Sequence, residues 1–409
     1  MIHDPYAALR HKNFVWLLVS YALSTVAREA QIVVVGWQVF ALTRDPLSLG
    51  LIGLAEALPL IAMALYAGHV ADRVSRRTVA IAGTFAVLLS AIALYLFTVT
   101  SFIAHGRVWP VYAVIFFSGI ARSFTRPALT ALSAELVPRE LYTNAVTWRS
   151  SAWQAAAVGG PALGGLLYGF SGPALAYGVV AVLTAVSLIG VALIAHDARP
   201  EPSGSTVVES VKLGLRFLFR QPVLLPAMTL DLFSVLFGGA TALLPIFAER
   251  MHAGPQGLGL LRAAPAVGSI VVGLVVAHRA PMRRAGRALF ACVGLFGLCM
   301  IAFALSRSFW LSFSILGLSG AADQVSVIIR GTLMTTLTPR ELLGRVSAVN
   351  QIFIGSSNEI GAFESGVAAR ILGVVPSVIF GGVMTLVVIT VVAMWSPPLR
   401  EMRELQQEA

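Results

Sequence analysis

The chain has 409 residues, 57% of them hydrophobic and only 12% charged, with a mean hydropathy of +0.83 and a formal net charge of +10. Soluble domains carry roughly 25% charged residues, so this composition excludes a soluble fold and places most of the surface against lipid. The excess of basic residues is a topology signal, as their placement shows below, and not a nucleic-acid footprint.

Charge clusters and Gly/Pro punctuation divide the sequence into twelve apolar stretches, at about 14–41, 47–70, 78–100, 108–136, 142–170, 173–195, 222–249, 256–278, 286–305, 309–337, 343–372 and 374–396. Each can cross roughly 30 Å of hydrocarbon as a helix. None shows the alternating pattern of a barrel strand. The expected fold is an all-α membrane protein with twelve transmembrane helices in two pseudo-symmetric six-helix bundles. Residues 1–13 are polar and too short for a secretory signal, so the first stretch is expected to be a retained span.

Span one carries Ser20, Ser24, Arg28, Gln31 and Gln38 along one helical face, with Glu29 about 100° around from Arg28. Span two carries Glu56 and runs into a basic loop, Gly68-His69-Val70-Ala71-Asp72-Arg73-Val74-Ser75-Arg76-Arg77. Span four places Arg122 and Arg126 four apart on one face. Span five contains Gly159, Gly160, Pro161, Gly164 and Gly165, a face nearly without side chains that suits close helix packing.

A breaker-rich linker follows at 196–205, and then Val208, Val211, Leu215 and Leu218 recur at helical spacing with Lys212, Arg216 and Arg220 on other faces. This predicts an amphipathic helix on the inner membrane surface. The organisation is then 1–195 as one six-helix bundle, 196–221 as the linker and 222–409 as the second bundle with its tail. Span seven has a second polar stripe, Asp231, Ser234, Gly238, Thr241 and Pro245. The loop after span eight, 278–284, keeps arginines but has no acid. Cys292 and Cys299 are seven apart on one predicted helix, too far for a disulfide. Span ten carries Asp323 and Arg330; span eleven carries Glu359 and Glu364.

The two halves repeat one another. Ser118-Gly119, eighteen residues and Pro138-Arg139-Glu140-Leu141 recur at an offset of 201 as Ser319-Gly320, eighteen residues and Pro339-Arg340-Glu341-Leu342. Gly160, Gly165 and Gly172 map to Gly361, Gly366 and Gly373 at the same offset, and Arg122 maps to Asp323. Such duplication belongs to transporters whose halves rock about one central site. In the second copy, Thr338-Pro339-Arg340-Glu341 predicts a capping box. With the N-terminus inside, eighteen Lys and Arg residues fall in inner loops and tails, and only Arg44, Arg107, Arg250 and Arg307 fall in outer loops. That bias predicts that both termini are cytoplasmic.

The loop at 68–77 resembles the G-x-x-x-D-R-x-G-R-R signature of the major facilitator superfamily, with Ser75 in place of its last Gly. Gly160-Pro161-Ala162-Leu163-Gly164-Gly165 resembles the core of the superfamily's antiporter motif, whose upstream glycines are here Thr147 and Ala156. Leu230–Gly239, Gly344–Asn350, Ser357–Gly361 and Phe363–Gly366 resemble the branch of bacterial enterobactin exporters and macrolide-efflux-like proteins. The resemblance implies that spans one, four, seven and ten line a cavity. It also implies that Asp72 and its arginines, with Gly68, Arg73, Arg76 and Arg77, form an inner gate.

Charges at membrane depth are costly, so each marks a cavity or a partner. Asp231 leads as the proton-coupling carboxylate, with Glu29 and Glu56 as alternatives. Arg28, Gln31, Ser234, Arg122, Arg126, Asp323, Arg330 and Glu359 are the expected substrate-cavity residues. Gly68, Asp72, Arg73, Arg76, Arg77, Gly160, Pro161, Gly164 and Gly165 are the expected gating residues. Arg122 and Asp323 are expected either to pair between the halves or to pair locally. Neither a metal-ligand spacing nor a phosphate-binding loop occurs, and no nucleophile–base pair suggests an enzyme. The expected activity is secondary active export of a small amphipathic molecule, a siderophore or drug-like compound, by proton antiport from a monomer in a bacterial inner membrane, with no cofactor. A lipid flippase or a small-solute importer is the alternative.

Overall fold

The computed structural model describes residues 4–71, 74–103, 107–195, 207–278 and 284–402. Asp72 and Arg73 of the basic loop, the linker at 196–206 and most of the loop at 278–284 lie outside them. The described residues form helices and turns: α1 (Lys12–Thr43), α2 (Pro46–Ala71), α3 (Arg76–Val99), α4 (Trp109–Glu135), α5 (Tyr142–Ala192), α6 (Val207–Phe219), α7 (Leu224–Gly238), α8 (Leu244–Arg250), α9 (Gly254–Ala277), α10 (Ala285–Leu305), α11 (Phe309–Leu337), α12 (Arg340–Leu372), α13 (Val374–Trp395) and α14 (Pro397–Glu401).

Among the described residues, nine helical stretches are long and apolar enough to cross a bilayer. One of them, Arg139–Ala192, contains two of the expected spans, because the backbone breaks at Gly172. The remaining two expected spans are α4 and α12, whose internal charges keep them below that measure. Span seven is discontinuous. α7 ends at Gly238, a 3-10 turn covers Ala240–Leu243, and α8 resumes at Leu244. The Ser365 hydroxyl of α12 donates to the Gly239 carbonyl at 3.0 Å, satisfying one acceptor freed by the break.

The duplication is written into the backbone. Pro138 (φ −56°, ψ 153°) precedes the helical turn that opens α5, and Pro339 (φ −54°, ψ 144°) precedes α12. Each proline carbonyl accepts from the leucine three residues on, Leu141 and Leu342, at 2.9 Å. Gly172 (φ 79°) and Gly373 (φ 92°) take matching left-handed conformations between consecutive spans. A side chain there would be strained, so glycine recurs in both copies. The capping box does not form. Pro339 itself occupies the cap position, which leaves Thr338 one residue too early, and its buried hydroxyl has no protein partner.

The chain divides into two compact units. The first comprises 1–44, 58–204 and 255–263; the second comprises 45–57, 205–254 and 264–409. In the first unit, α1 packs along α5 because the latter presents glycines. A Cβ at Gly164 would lie 2.5 Å from the Ala30 carbonyl oxygen, and one at Gly160 would lie 2.6 Å from Glu29 Cβ. Gly165 faces away from α1 and meets Gly259 of α9, whose Cα would be 2.9 Å from an added Cβ. Gly159 meets nothing within 4 Å. In the second unit the mapped glycine, Gly366, meets Gly50 of α2 in the same manner, with an added Cβ 2.6 Å from Gly50 Cα. Arg370 pairs with Asp45 at 3.2 Å beside that contact.

The amphipathic helix is present as α6. Its apolar side docks on α12, with Gly214 against the Arg345 carbonyl and Leu218 in the cluster that includes Leu224, Val346 and Val349. Lys212, Arg216 and Arg220 remain exposed. Protein therefore covers the face expected to meet lipid, because Gly214 lets the two backbones approach closely.

Forcing a methyl group into a full contact costs about 1–3 kcal/mol. Gly164→Ala is therefore expected to lower the apparent melting temperature of the purified protein by several degrees, and Gly159→Ala to leave it unchanged. Equal behaviour of the two variants would contradict the packing described for α5.

Candidate functional site

The second unit concentrates charge where three helices converge. Asp231 and Ser234 sit one turn apart on α7, just before its break. Asp323 and Arg330 sit two turns apart on α11 and so share a face. Arg330 Nη1 forms an ion pair with Asp231 Oδ1. Its Nη2 lies 3.9 Å from Asp323 Oδ1, and its Nε donates to the Ser326 carbonyl at 3.3 Å. One guanidinium thus stands between two carboxylates.

Their exposures differ. The Arg330 and Asp231 side chains are 11% and 12% exposed, whereas Asp323 is 47% exposed. The close pair is enclosed and the longer one is open. A small cavity adjoins them, lined by Asp231, Ser234 and Val235 of α7, Cys292, Val293 and Phe296 of α10, and Asp323 and Ser326 of α11. Ser234 is only 4% exposed, and its hydroxyl has no hydrogen-bond partner in the protein.

Of the expected site residues, the structure brings together Asp231, Ser234, Asp323 and Arg330. Asp323 has a local cation on its own helix. Glu56 and Glu359 lie half-buried on α2 and α12, where Gly53 packs against the Glu359 backbone. The contribution of α10 escaped the sequence reading. Cys292 and Phe296 are spaced as one helical face, but they lie in an almost wholly apolar helix with no contrast to mark that face.

In the first unit Arg28 pairs with Glu29 at 3.1 Å on α1. The polar stripe of α1 is partly internal packing. Gln31 is buried, and Gln38 accepts from the Tyr177 hydroxyl at 2.7 Å and donates to Thr98 at 3.2 Å. Arg122 is half-buried and Arg126 exposed on α4.

The expected gating residues separate by contact. Gly68 lies in α2, and Asp72 and Arg73 fall outside the described residues. Arg76 pairs with Glu135 at the end of α4, and Arg77 donates to the Ala192 carbonyl at 2.7 Å, a favourable place for a cation at a helix C-terminus. Gly160 and Gly164 face α1, while Pro161 and Gly165 face Gly259 of α9.

Removing one member of a buried ion pair costs about 3–5 kcal/mol, because the other is left uncompensated. Arg330→Met is therefore expected to destabilise the protein strongly, and the double variant Asp231→Asn/Arg330→Met to recover much of the loss in equilibrium unfolding. Additive losses would mean that the pair contributes no coupling.

Comparison with known proteins agrees with this architecture. The profile of the transmembrane secretion effector family, a major facilitator family, matches residues 3–409. The enterobactin exporter EntS of Citrobacter koseri is 26% identical over 358 residues, covering 85% of this chain and 81% of its own. The MFS-type transporter YfiS of Bacillus subtilis is 25% identical over 388 residues, covering 89% and 88%. Among solved structures, a bacterial homologue of the iron transporter ferroportin in an inward-facing state superposes with a TM-score of 0.72 at 17% identity, covering 94% of this chain and 98% of that one. A bacterial homologue of the human lysosomal transporter Spinster gives 0.69 at 18% identity, covering 97% and 98%. A multi-pass chain of two related halves, with this match along its whole length, belongs to the transmembrane secretion effector family of the major facilitator superfamily.

Proposed function

We propose that this transporter exports a small amphipathic organic molecule, a siderophore or drug-like compound, and couples export to proton entry by alternating access. The observation that carries the reading is the Asp231–Arg330–Asp323 group on spans seven and ten. Ionisable groups at this depth are costly, and a transporter retains them where charge must move. The relatives named enterobactin exporters, aligned over four-fifths of both chains, support export and a siderophore class.

The residues proposed to act on substrate are Arg28, Gln31, Arg122 and Arg126 in the first unit and Ser234, Asp323, Arg330 and Glu359 in the second. Their arginines, set among apolar helices, suit an anionic amphipathic molecule. Asp231 is held by Arg330, so it exchanges a proton only when the guanidinium moves; Glu29, held by Arg28, and Glu56 are the alternatives. The glycine contacts of α5 and α12 serve as seals about which the halves rock. The basic loop after α2 closes the inner side, with Asp72 as its acid. Both termini face the cytoplasm, and the monomer is the working unit.

Bacterial cells producing the protein are expected to accumulate less of a catecholate siderophore or an amphipathic dye than cells without it, with the difference abolished by an uncoupler. Equal accumulation across a panel of siderophores, macrolides and dyes would overturn the export reading. A difference that survives the uncoupler would overturn the proton coupling.

A further inference from the structure

We propose that Arg149, near the start of α5, anchors an anion site in the first unit that takes the carboxylate or phenolate of an aromatic molecule. The proposal rests on the export reading above for the role of the site, and it names the chemical group the site selects. Arg149 is the single charged side chain in the 51 residues of α5. Away from their ends, α1, α4 and α5 carry Arg28, Arg122, Arg126 and Arg149 against one acid, Glu29, which Arg28 engages at 3.1 Å. Arginines at membrane depth persist where they meet a partner or a cargo.

Among the described residues, the side-chain contacts of Arg149 are with neutral groups. Its Nη1 donates to the Ser133 hydroxyl at 2.7 Å and its Nη2 to the Thr130 hydroxyl at 3.2 Å, both on α4. The Tyr21 ring of α1 covers the guanidinium, with Cζ 5.1 Å from the ring centroid. The nearest acids in sequence point elsewhere. Glu135 lies about 200° around α4 from Ser133 and pairs with Arg76, and Glu29 lies about 12 Å along α1 from Tyr21. The two hydroxyls and the ring thus fix a cation in place without neutralising it. A guanidinium has five N–H groups, so each terminal nitrogen of Arg149 keeps one for a ligand. Thr130 is exposed, so the Nη2 end of the fork is reached from outside the bundle. Because the fork is already held, an anion binding there orders little else.

The surroundings set the rest of the ligand. Val146, Arg149, Ser150 and Trp153 fall within about 100° on α5, and Val146, Ser150 and Trp153 are exposed. On α4, Arg126, Thr130 and Ser133 fall within about 60°, and Arg126 and Thr130 are exposed. A helix face that meets lipid is apolar throughout, whereas this one mixes hydroxyls and arginines with an indole. It matches a flat apolar molecule with one negative charge, its ring on Trp153 and Val146 and its anion on Arg149. The same arginines repel a cation.

The probe is radiolabelled benzoate, with benzyl alcohol as its uncharged match. Binding is measured by equilibrium dialysis against the protein in phosphatidylcholine nanodiscs. No transport is involved, so a failure here and a failure of the export reading are distinguishable. Saturable binding of benzoate, well above that of benzyl alcohol, is expected. Arg149→Met is expected to weaken it by about tenfold or more, as loss of a charged hydrogen bond does. Arg149→Lys is expected to restore only part, because an ammonium lacks the fork. Thr130→Val keeps the charge and frees one arm, so a smaller weakening is expected; it also serves if Arg149→Met does not fold. Equal binding of the two probes overturns the site. So does benzoate binding that is unchanged in the folded Arg149 and Thr130 variants while their melting temperatures fall, since Arg149 is then only a tether between α4 and α5. Benzoate binding that disappears when phosphatidylglycerol replaces phosphatidylcholine puts a lipid headgroup on Arg149 and overturns the aromatic ligand.

Discussion

The guanidinium of Arg330 between two carboxylates is the constraint on which the packing of α7 against α11 depends. Outside a membrane such a group would be an ordinary charge network. On helices that cross lipid it must be enclosed, because desolvating each charge costs more than a single good contact returns. α7 and α11 are therefore held together by a pair neither can abandon alone. The enclosed arm and the open arm give Arg330 two partners of unequal access.

The surrounding frame is symmetric, and its symmetry has backbone causes. Pro138 and Pro339 fix the entry to equivalent helices, and Gly172 and Gly373 fix the exit from them. Gly165 and Gly366 each meet a glycine of another span, Gly259 and Gly50, at distances that admit no side chain. The charged group breaks this symmetry. The position equivalent to Asp323 in the first half is Arg122, so the acid that faces Arg330 has no copy.

Much of this was legible in the sequence. Spans show as apolar runs bounded by charge, and the repeat exposes itself through prolines and glycines whose backbone demands leave few alternatives. The intramembrane acids and arginines stand out against lipid-facing sequence, so Asp231, Ser234, Asp323 and Arg330 were visible as candidates. Their pairing was not, because the partner of Arg330 lies on another helix about a hundred residues away. The lining from Cys292 and Phe296 was hidden in a uniformly apolar helix. The stripe on α1 misled in part, since Gln38 is spent on Tyr177 and Thr98, a packing role that periodicity cannot separate from a cavity role. The docking of α6 on α12 turned on Gly214, one residue inside an apparently membrane-surface pattern.

The central claim is that coupling resides in the charge group while alternating access resides in the symmetric frame. It is tested most directly in proteoliposomes carrying Asp231→Asn, using a labelled siderophore or dye that the unaltered protein transports. The account predicts that the variant still exchanges labelled for unlabelled molecule across the membrane at the unaltered rate, yet fails to accumulate it against an imposed ion gradient. Gradient-driven accumulation at the unaltered level, or loss of exchange together with accumulation in a folded protein, would contradict it.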